Sequence, residues 1–174
     1  MPRNIEIKAR VADLPALEAR AAAIADSGPV AIAQDDTFFR CDAGRLKLRA
    51  FADGTGELIF YRRADAGGPK TSSYFLSPTP APDSLRDLLA RAHGTAGRVR
   101  KQRTLYLVGR TRVHLDRVEG LGDFMELEVV LADDEAEDDG VREARALMAR
   151  LGIADKALVS GAYVDLLRAG GAAG

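Results

Sequence analysis

The sequence is poor in the residues that build disulfides and thiolate or histidine metal sites. Its 174 residues include one cysteine, Cys41, and two histidines, His93 and His114. A single cysteine excludes an intrachain disulfide and a cysteine-based zinc site, and two histidines are too few for a metal site made of histidine alone. We therefore expect Cys41 to be an inert core thiol in a protein of the reducing cytoplasm.

The chain also lacks the features of membrane proteins and of nucleic-acid-binding proteins. No apolar run approaches the roughly 18 residues of a membrane-spanning helix, and the N-terminus has no apolar signal-peptide core. The net charge is −1 and aromatic residues make up 6% of the chain, whereas RNA and DNA binding calls for basic surface and stacking aromatics. We expect neither membrane association nor a stable nucleic-acid complex.

What the chain does have is charge at every second residue of three segments. Residues 4–10 (NIEIKAR), 45–49 (RLKLR) and 124–129 (FMELEV) alternate polar and apolar side chains. An alternation of period two puts each charged set on one face of a β-strand. One of these faces is purely cationic and another is purely anionic. Such segregation is expected where cationic strands hold phosphates and acidic strands hold a metal that bridges to them.

The order of predicted elements favours a mainly β fold of the α+β class. Strands are predicted at residues 4–10, 36–40, 45–51, 57–63, 71–77, 98–108, 111–119 and 124–131. Helices are predicted at 13–24, 82–93, 141–151 and 161–168, with loops at 64–70 and 133–139. Since most strands follow one another through hairpins, we expect an eight-stranded antiparallel closed barrel or tunnel with a charged lumen and the helices packed outside. Residues 1–168 are expected to form a single domain and 169–174 a disordered tail.

The candidate phosphate ligands are cations that share strand faces. They are Arg45, Lys47, Arg49, Arg63, Lys101 and Arg103. The first three form a ladder on one strand, although a charged edge strand that prevents aggregation would show the same pattern. Arg62 and Arg63 point to opposite faces, and we favour Arg63 as the one that faces the lumen.

The candidate metal ligands are carboxylates. Glu126 and Glu128 share a strand face, where like charges repel unless a cation lies between them. Carboxylate ligation with room for water suits Mg²⁺ or Mn²⁺. His114 and Asp116 share a face of the preceding strand, and we expect His114 to be a structural partner rather than a ligand.

These segments resemble a known family. Residues 4–8 (NIEIK) place Glu6 and Lys8 on one face and are similar to the N-terminal ExExK motif of the CYTH superfamily, the triphosphate tunnel metalloenzymes. Residues 101–106 (KQRTLY) and 114–128 (HLDRVEGLGDFMELE) resemble the C-terminal half of its class IV adenylate cyclases. Residues 163–167 (YVDLL) resemble the closing Y-x-x-L-L of the same family, so the resemblance covers residues 4–167.

The resemblance implies an eight-stranded tunnel that binds triphosphates with a divalent metal. By position it implies a metal site made of Glu6, Asp116, Glu126 and Glu128. It implies phosphate binding by Lys8, Arg45, Lys47, Arg49, Arg63, Lys101 and Arg103, with catalytic roles for Lys8 and Glu6. Asn4 replaces the first glutamate of ExExK, and Arg62 or Arg63 replaces a lysine often found on the fourth strand. Arginine can clamp phosphate but is a poor proton donor or base.

The resemblance also implies the function. We expect an Mg²⁺- or Mn²⁺-dependent class IV adenylate cyclase-like enzyme that converts ATP to cyclic AMP and pyrophosphate. An inorganic or thiamine triphosphatase is the first alternative, and a non-catalytic nucleotide- or polyphosphate-binding module is the second. The expected partner is a nucleoside triphosphate or inorganic triphosphate, and a homodimer is left open.

Overall fold

Eight antiparallel strands close into a barrel in the computed structural model, which describes residues 2–63 and 68–171. The strands are β1 (Arg3–Arg10), β2 (Ser27–Phe39), β3 (Arg45–Phe51), β4 (Gly56–Arg63), β5 (Lys70–Thr79), β6 (Thr95–Val108), β7 (Thr111–Val118) and β8 (Gly122–Val130). Their order around the barrel is β1-β5-β4-β3-β2-β6-β7-β8, and β8 pairs with β1 to close it. The predicted eight-stranded closed barrel is therefore confirmed.

Four helices lie on the outside of the barrel or at one end of it. They are α1 (Leu14–Ile24), α2 (Pro82–His93), α3 (Glu137–Leu151) and α4 (Tyr163–Gly171). Asp13 caps α1, because its carboxylate accepts a hydrogen bond of 2.9 Å from the backbone N–H of Ala16. Within the described ranges, no helix combines the length and the apolar character needed to cross a bilayer.

The apolar faces of β1, β7 and β8 point outward into a core beneath the helices. The largest cluster packs β1, β7 and β8 against α1 and α3 and includes Ile5, Ile7, Met125, Leu127 and Leu147. α3 can approach β1 closely because position 140 is glycine: an added Cβ would lie 2.6 Å from side-chain carbons of Ile5 and Leu131. With apolar side chains committed to the outside, the polar positions of the same strands face the lumen.

α4 closes one end of the barrel. Its Val164 belongs to a second apolar cluster with Phe38, Val99 and Phe124. The close fit depends on Gly97 of β6, whose φ is +146° and where an added Cβ would lie 2.4 Å from Val164 Cγ2. This packing seats the first residue of α4, Tyr163, at the end of the lumen.

Several predicted element ends were wrong. β2 begins at Ser27 rather than residue 36. Gly28 and Pro29 suggest a turn in the sequence, but a register shift against β6 between Ser27 and Val30 keeps them within the strand. β5 and β6 also begin earlier than predicted, at Lys70 and Thr95. α3 begins at Glu137, within the predicted loop 133–139, so that three acidic residues lie in its first turn, where the helix dipole favours them.

The C-terminal boundary also differs from the prediction. α4 continues to Gly171, three residues beyond the predicted helix end at 168. Residues 64–67 of the predicted loop and residues 172–174 of the predicted tail lie outside the described residues.

Candidate active site

Side chains from all eight strands face a cavity of about 350 Å³ inside the barrel. The cations that line it are Lys8, Lys47, Arg49, Arg63, Lys101, Arg103 and Arg112. The carboxylates that line it are Glu6, Asp36, Glu57, Glu126 and Glu128. Among the described residues, the seven lining cations formally outnumber the five lining carboxylates and the buried Asp116 by one, so the cavity favours a bound anion.

One wall of the cavity carries an ion cluster that we call the Asp36 unit, formed by Asp36 of β2 with Lys47 and Arg49 of β3. Lys47 Nζ lies 2.8 Å from Asp36 Oδ2, and Arg49 donates two hydrogen bonds of 2.8 Å to the same carboxylate. Burial, aided by the charge of Arg49, lowers the pKa of Lys47 to about 7. Burial alone would raise the pKa of Asp36, but Arg49 and Lys47 hold it well below its usual range.

The adjoining part of the wall carries the Asp116 unit, formed by Asp116 of β7 with Lys101 and Arg103 of β6, which pairs with β2. Arg103 donates two hydrogen bonds of 2.6 Å to Asp116, and Lys101 Nζ lies 3.5 Å from it. The hydroxyl of Tyr163 donates a further hydrogen bond of 2.9 Å. Burial opposes ionisation of Asp116, but Arg103 and Lys101 lower its pKa to about 2. The structure thus places this predicted metal ligand among cations, with Arg103 and Tyr163 bonded to its oxygens.

The end of the cavity near α4 is occupied by the ring of Tyr163. Lys8 Nζ lies 4.0 Å and Lys101 Nζ 4.9 Å from the ring centroid, so both ammonium groups contact the aromatic face. Lys8 also donates to the carbonyl of Gly161 at 3.1 Å and lies 3.3 Å from Glu126 Oε1. Burial lowers the pKa of Lys8 to about 8, against the opposing attraction of Glu126.

Three potential metal ligands converge on the β7–β8 side of the lumen. One ligand atom from each of His114, Glu126 and Glu128 lies within 4.8 Å of the other two. Arg103 donates to Glu126 at 2.6 Å and Arg112 donates to Glu128 at 2.8 Å, which orients both carboxylates. Burial and the charge of Arg103 lower the pKa of His114 to about 4, so its imidazole is neutral at pH 7. Two carboxylates and a neutral imidazole are a donor set that fits a divalent cation.

Glu6, the remaining predicted metal ligand, lies beside this cluster but is paired with a cation. It faces Glu128 across the β1–β8 ladder, and its Oε2 accepts a hydrogen bond of 3.0 Å from Arg63. Burial and the nearby charge of Glu128 raise the pKa of Glu6. Arg63 faces the lumen, as the strand alternation predicts, whereas Arg62 is exposed and donates to the carbonyl of Ala43.

Arg45, predicted as a phosphate ligand, lies beyond the end of this cavity. Its guanidinium makes two hydrogen bonds, of 3.1 and 2.7 Å, to Asp165 of α4. It lines an outer groove together with Arg40, Arg62 and Arg168. The strand face was predicted correctly, but β3 extends past the lumen at its first residue, where it meets α4 instead.

Asn4 lines the cavity near Arg112. With its amide oriented to satisfy both groups, Asn4 accepts a hydrogen bond of 3.3 Å from Arg112 and donates one of 3.1 Å to the carbonyl of Arg3. Arg112 in turn holds Glu128. The residue that departs from ExExK therefore contributes to the positioning of a carboxylate.

Sequence reasoning missed Asp36, Arg112 and the position of His114 at the carboxylate cluster. Arg112 and His114 could have been found, since they follow the same alternation on β7 as Asp116. Asp36 could not be assigned, because it follows Asp35 and lies in a strand whose first nine residues were not predicted. Only the register of β2 against β3, which sets Asp36 opposite Arg49, decides which aspartate faces inward.

Comparison with known proteins agrees with the fold and with the motifs. A family model described as the CYTH domain matches residues 2–163. The PH1012 protein from Pyrococcus horikoshii OT3 superposes with a TM-score of 0.84 at 21% identity, covering 94% of this chain and 99% of that one. A candidate adenylate cyclase from Vibrio parahaemolyticus gives a TM-score of 0.76 at 19% identity, over 95% and 97% of the two chains.

A third similar structure is the candidate adenylyl cyclase HpAC1 from Hippeastrum, which is described as having a dominant triphosphatase activity. It superposes with a TM-score of 0.68 at 18% identity, over 96% of each chain. No curated protein matches the sequence. At these identities the structures establish the fold alone, while the family model spans nearly the whole chain and confirms the resemblance seen in the motifs. The protein belongs to the CYTH domain family.

Proposed function

We propose that this protein is a divalent-metal-dependent enzyme that acts on a triphosphate held in the barrel lumen, and that it converts ATP to cyclic AMP and pyrophosphate. The observation that carries the proposal is a single cavity in which cations exceed carboxylates and two carboxylates converge with a neutral imidazole. An anion and a divalent cation together match that charge pattern.

Arg63 is the strongest candidate for direct contact with phosphate. Its side chain is 7% exposed, and its Nε and Nη2 atoms are buried with no hydrogen-bond partner within residues 2–63 and 68–171. Buried donors without acceptors are costly, and phosphate oxygens would supply those acceptors. Lys47 and Arg49 line the cavity from the neighbouring strand β3 and would hold further phosphate oxygens.

Glu126 and Glu128 are the residues that would hold the metal, with Glu6 and His114 beside them. A divalent ion bound there would neutralise phosphate charge and polarise the phosphorus–oxygen bonds. Arg103 and Arg112 hold the two carboxylates in place through hydrogen bonds of 2.6 and 2.8 Å.

Lys8 is the candidate general base. With a pKa lowered to about 8, it is partly neutral at physiological pH and can accept a proton, as the ideal base requires. In the cyclase reaction the ribose 3′-oxygen would attack the α-phosphorus as pyrophosphate leaves, and the hydroxyl proton would pass through water to Lys8. The lumen cations would stabilise the charge that develops on the leaving group.

The part of the lumen away from Tyr163 offers apolar side chains that suit an organic group attached to the triphosphate. Ile32 and Leu105, on neighbouring strands, line the cavity there, and Tyr74 and Leu76 line it from β5. In the β6–β7 register, Leu105 lies two residues beyond Arg103, on the side away from Lys101. A nucleoside triphosphate would place its phosphates among the cations and its base against these side chains.

Triphosphate hydrolysis is the second candidate. The similar HpAC1 structure is described as having dominant triphosphatase activity despite its cyclase name. Hydrolysis needs the same cations, metal and base, with water as the nucleophile in place of the ribose hydroxyl.

A turnover panel separates the candidates. ATP, inorganic triphosphate and thiamine triphosphate are incubated with Mg²⁺ or Mn²⁺, and phosphate, pyrophosphate and cyclic AMP are quantified separately. Equal amounts of cyclic AMP and pyrophosphate from ATP would support the cyclase, and phosphate without cyclic AMP would support the triphosphatase. Binding of these compounds without any product would overturn the enzyme proposal in favour of a binding module.

Matched carboxylate variants test the location of the reaction. Glu126→Gln removes a lumen carboxylate and should lower turnover by about a hundredfold or more. Glu119→Gln alters an exposed carboxylate at the end of the β7 region and should leave turnover unchanged. Equal activity of the two variants would place the chemistry outside the lumen.

A further inference from the structure

His114 is a buried histidine whose Nδ1 atom has no hydrogen-bond partner within residues 2–63 and 68–171. Its side chain is 6% exposed, and its Nδ1 atom is buried without a hydrogen-bond partner in the described part of the chain. Leaving such an atom unsatisfied costs free energy, so a group that satisfies it is expected. A histidine kept only for packing would not require a polar atom at this position.

The atoms around Nδ1 point to a cation as that missing group. Glu128 Oε1 lies 3.7 Å from Nδ1, which is too long for a hydrogen bond, and Glu126 lies opposite His114 in the β7–β8 ladder. The other oxygen of each carboxylate, Oε2, is already held by Arg112 or Arg103. The remaining oxygen of Glu128 thereby lies on the side of the imidazole, while that of Glu126 lies 3.3 Å from Lys8 Nζ, and outer partners orient the ligands of metal sites in the same way.

The spacing suits ligation of one ion. Two atoms bound to one metal at about 2.1 Å lie at most about 4.2 Å apart. The three ligand atoms of His114, Glu126 and Glu128 lie within 4.8 Å of one another. Neighbouring ligands of an octahedral ion lie about 3 Å apart, so the three side chains would close by up to roughly 1.8 Å when they bind one ion.

We propose that His114 is a nitrogen ligand beside Glu126 and Glu128, and that this mixed site prefers Mn²⁺ or Co²⁺ to Mg²⁺. Mg²⁺ favours oxygen ligands and gives up its water reluctantly, whereas imidazole suits later divalent metals. The inference rests on the proposed function for its biological use. Ion selectivity, however, can be measured with no substrate present.

The direct test is pulsed electron paramagnetic resonance of the wild-type protein loaded with Mn²⁺. Nitrogen-14 modulation from a directly bound imidazole is expected, and it should vanish in His114→Gln. Absence of that modulation in the wild type would overturn the proposal. This measurement needs no variant, so it decides the matter even if His114→Gln fails to fold.

The second test is competition between ions. Co²⁺ binding is followed by visible absorbance and displaced with Mg²⁺ in the wild type, His114→Gln and His93→Gln. His114→Gln should weaken Co²⁺ binding by about tenfold or more while changing Mg²⁺ binding far less. His93→Gln, at the exposed second histidine, should match the wild type. Equal losses for both ions in His114→Gln would contradict the selectivity.

The two proposals can fail separately. Nitrogen ligation in a protein that turns over no triphosphate would leave the metal site standing and overturn the proposed reaction. Turnover of a triphosphate without nitrogen ligation would support the reaction and overturn the role of His114.

Discussion

Two adjoining parts of the lumen wall carry the same chemical arrangement in different surroundings. In each, a Lys-x-Arg pair on one strand surrounds an aspartate on the neighbouring strand: Lys47 and Arg49 around Asp36, and Lys101 and Arg103 around Asp116. In the Asp36 unit, the lysine and arginine side chains are 14% and 13% exposed. In the Asp116 unit both are 4% exposed, and Tyr163 adds a hydrogen bond.

The difference in exposure and hydrogen bonding indicates that the two units have different roles. Arg103 is bound to two carboxylates, Asp116 and Glu126, and the unit around Asp116 anchors α4 through Tyr163. Within the described residues, no tyrosine hydroxyl donates to Asp36, and the pKa of Lys47 is lowered to about 7. We therefore expect the Asp116 unit to contribute mainly to stability and the Asp36 unit mainly to ligand binding.

The largest expected effect is the loss of the buried aspartate that anchors α4. Asp116→Asn leaves Arg103 and Lys101 without their main counter-charge and should lower the free energy of unfolding by about 3–5 kcal/mol. Asp36→Asn should cost less, because Lys47 can release its proton when its partner is lost. Urea unfolding of both variants at pH 8 measures the difference. A greater loss of unfolding free energy in Asp36→Asn than in Asp116→Asn would contradict the stabilising role proposed for the Asp116 unit.

The tyrosine hydroxyl should have a smaller effect of the same kind. Tyr163→Phe keeps the ring under Lys8 and Lys101 but removes the hydrogen bond to Asp116, at a cost of about 1–2 kcal/mol. Tyr61→Phe is the matched control near Lys47: within the described residues its hydroxyl donates to neither buried aspartate. Thermal unfolding should show a lower midpoint for Tyr163→Phe than for Tyr61→Phe. Equal midpoints would show that the hydrogen bond from Tyr163 to Asp116 does not stabilise the fold.

The smallest expected effect is the uptake of a proton by Lys47 when triphosphate binds. A bound anion favours the charged form of Lys47 and raises its pKa above about 7. At pH 8 the free lysine is mostly neutral, so triphosphate binding should take up about one proton at this site. At pH 6 the lysine is already charged and this uptake should disappear.

Calorimetry in buffers of different ionisation enthalpy measures that uptake. The control is Lys47→Arg, which stays charged at both values of pH and should lack this contribution at pH 8. The same proton uptake in wild type and Lys47→Arg would show that Lys47 does not titrate on binding.

The sequence predicted which strand faces point into the lumen better than it predicted the ion pairs that form there. The hairpin connections predicted the barrel, and charge alternation on β1, β3 and β8 predicted its charged lumen, because side-chain direction is a local property of a strand. β2 was recognised only at its end, because Gly28 and Pro29 suggest a turn and only the pairing with β6 keeps them in the strand.

The ion pairs could not be predicted, since they depend on register between strands that are distant in sequence. Asp116 was expected beside Glu126 at a metal, but the β6–β7 register sets it opposite Arg103. Arg45 was expected in the lumen, but α4 meets it through Asp165. His114 was expected to be a structural partner, and the β7–β8 register sets it beside Glu126 and Glu128.

The most direct test of the account is whether the lumen cations hold the triphosphate. Binding of inorganic triphosphate is measured by calorimetry for the wild type, Arg49→Met and Arg100→Met, with thermal unfolding to confirm that each variant folds. Arg49 lines the cavity, whereas Arg100 lies on the outer face of β6 and is half exposed. If the lumen cations hold the triphosphate, we expect a loss of about 10- to 100-fold in affinity for Arg49→Met and none for Arg100→Met. Equal affinities in the two variants would contradict a triphosphate site inside the barrel.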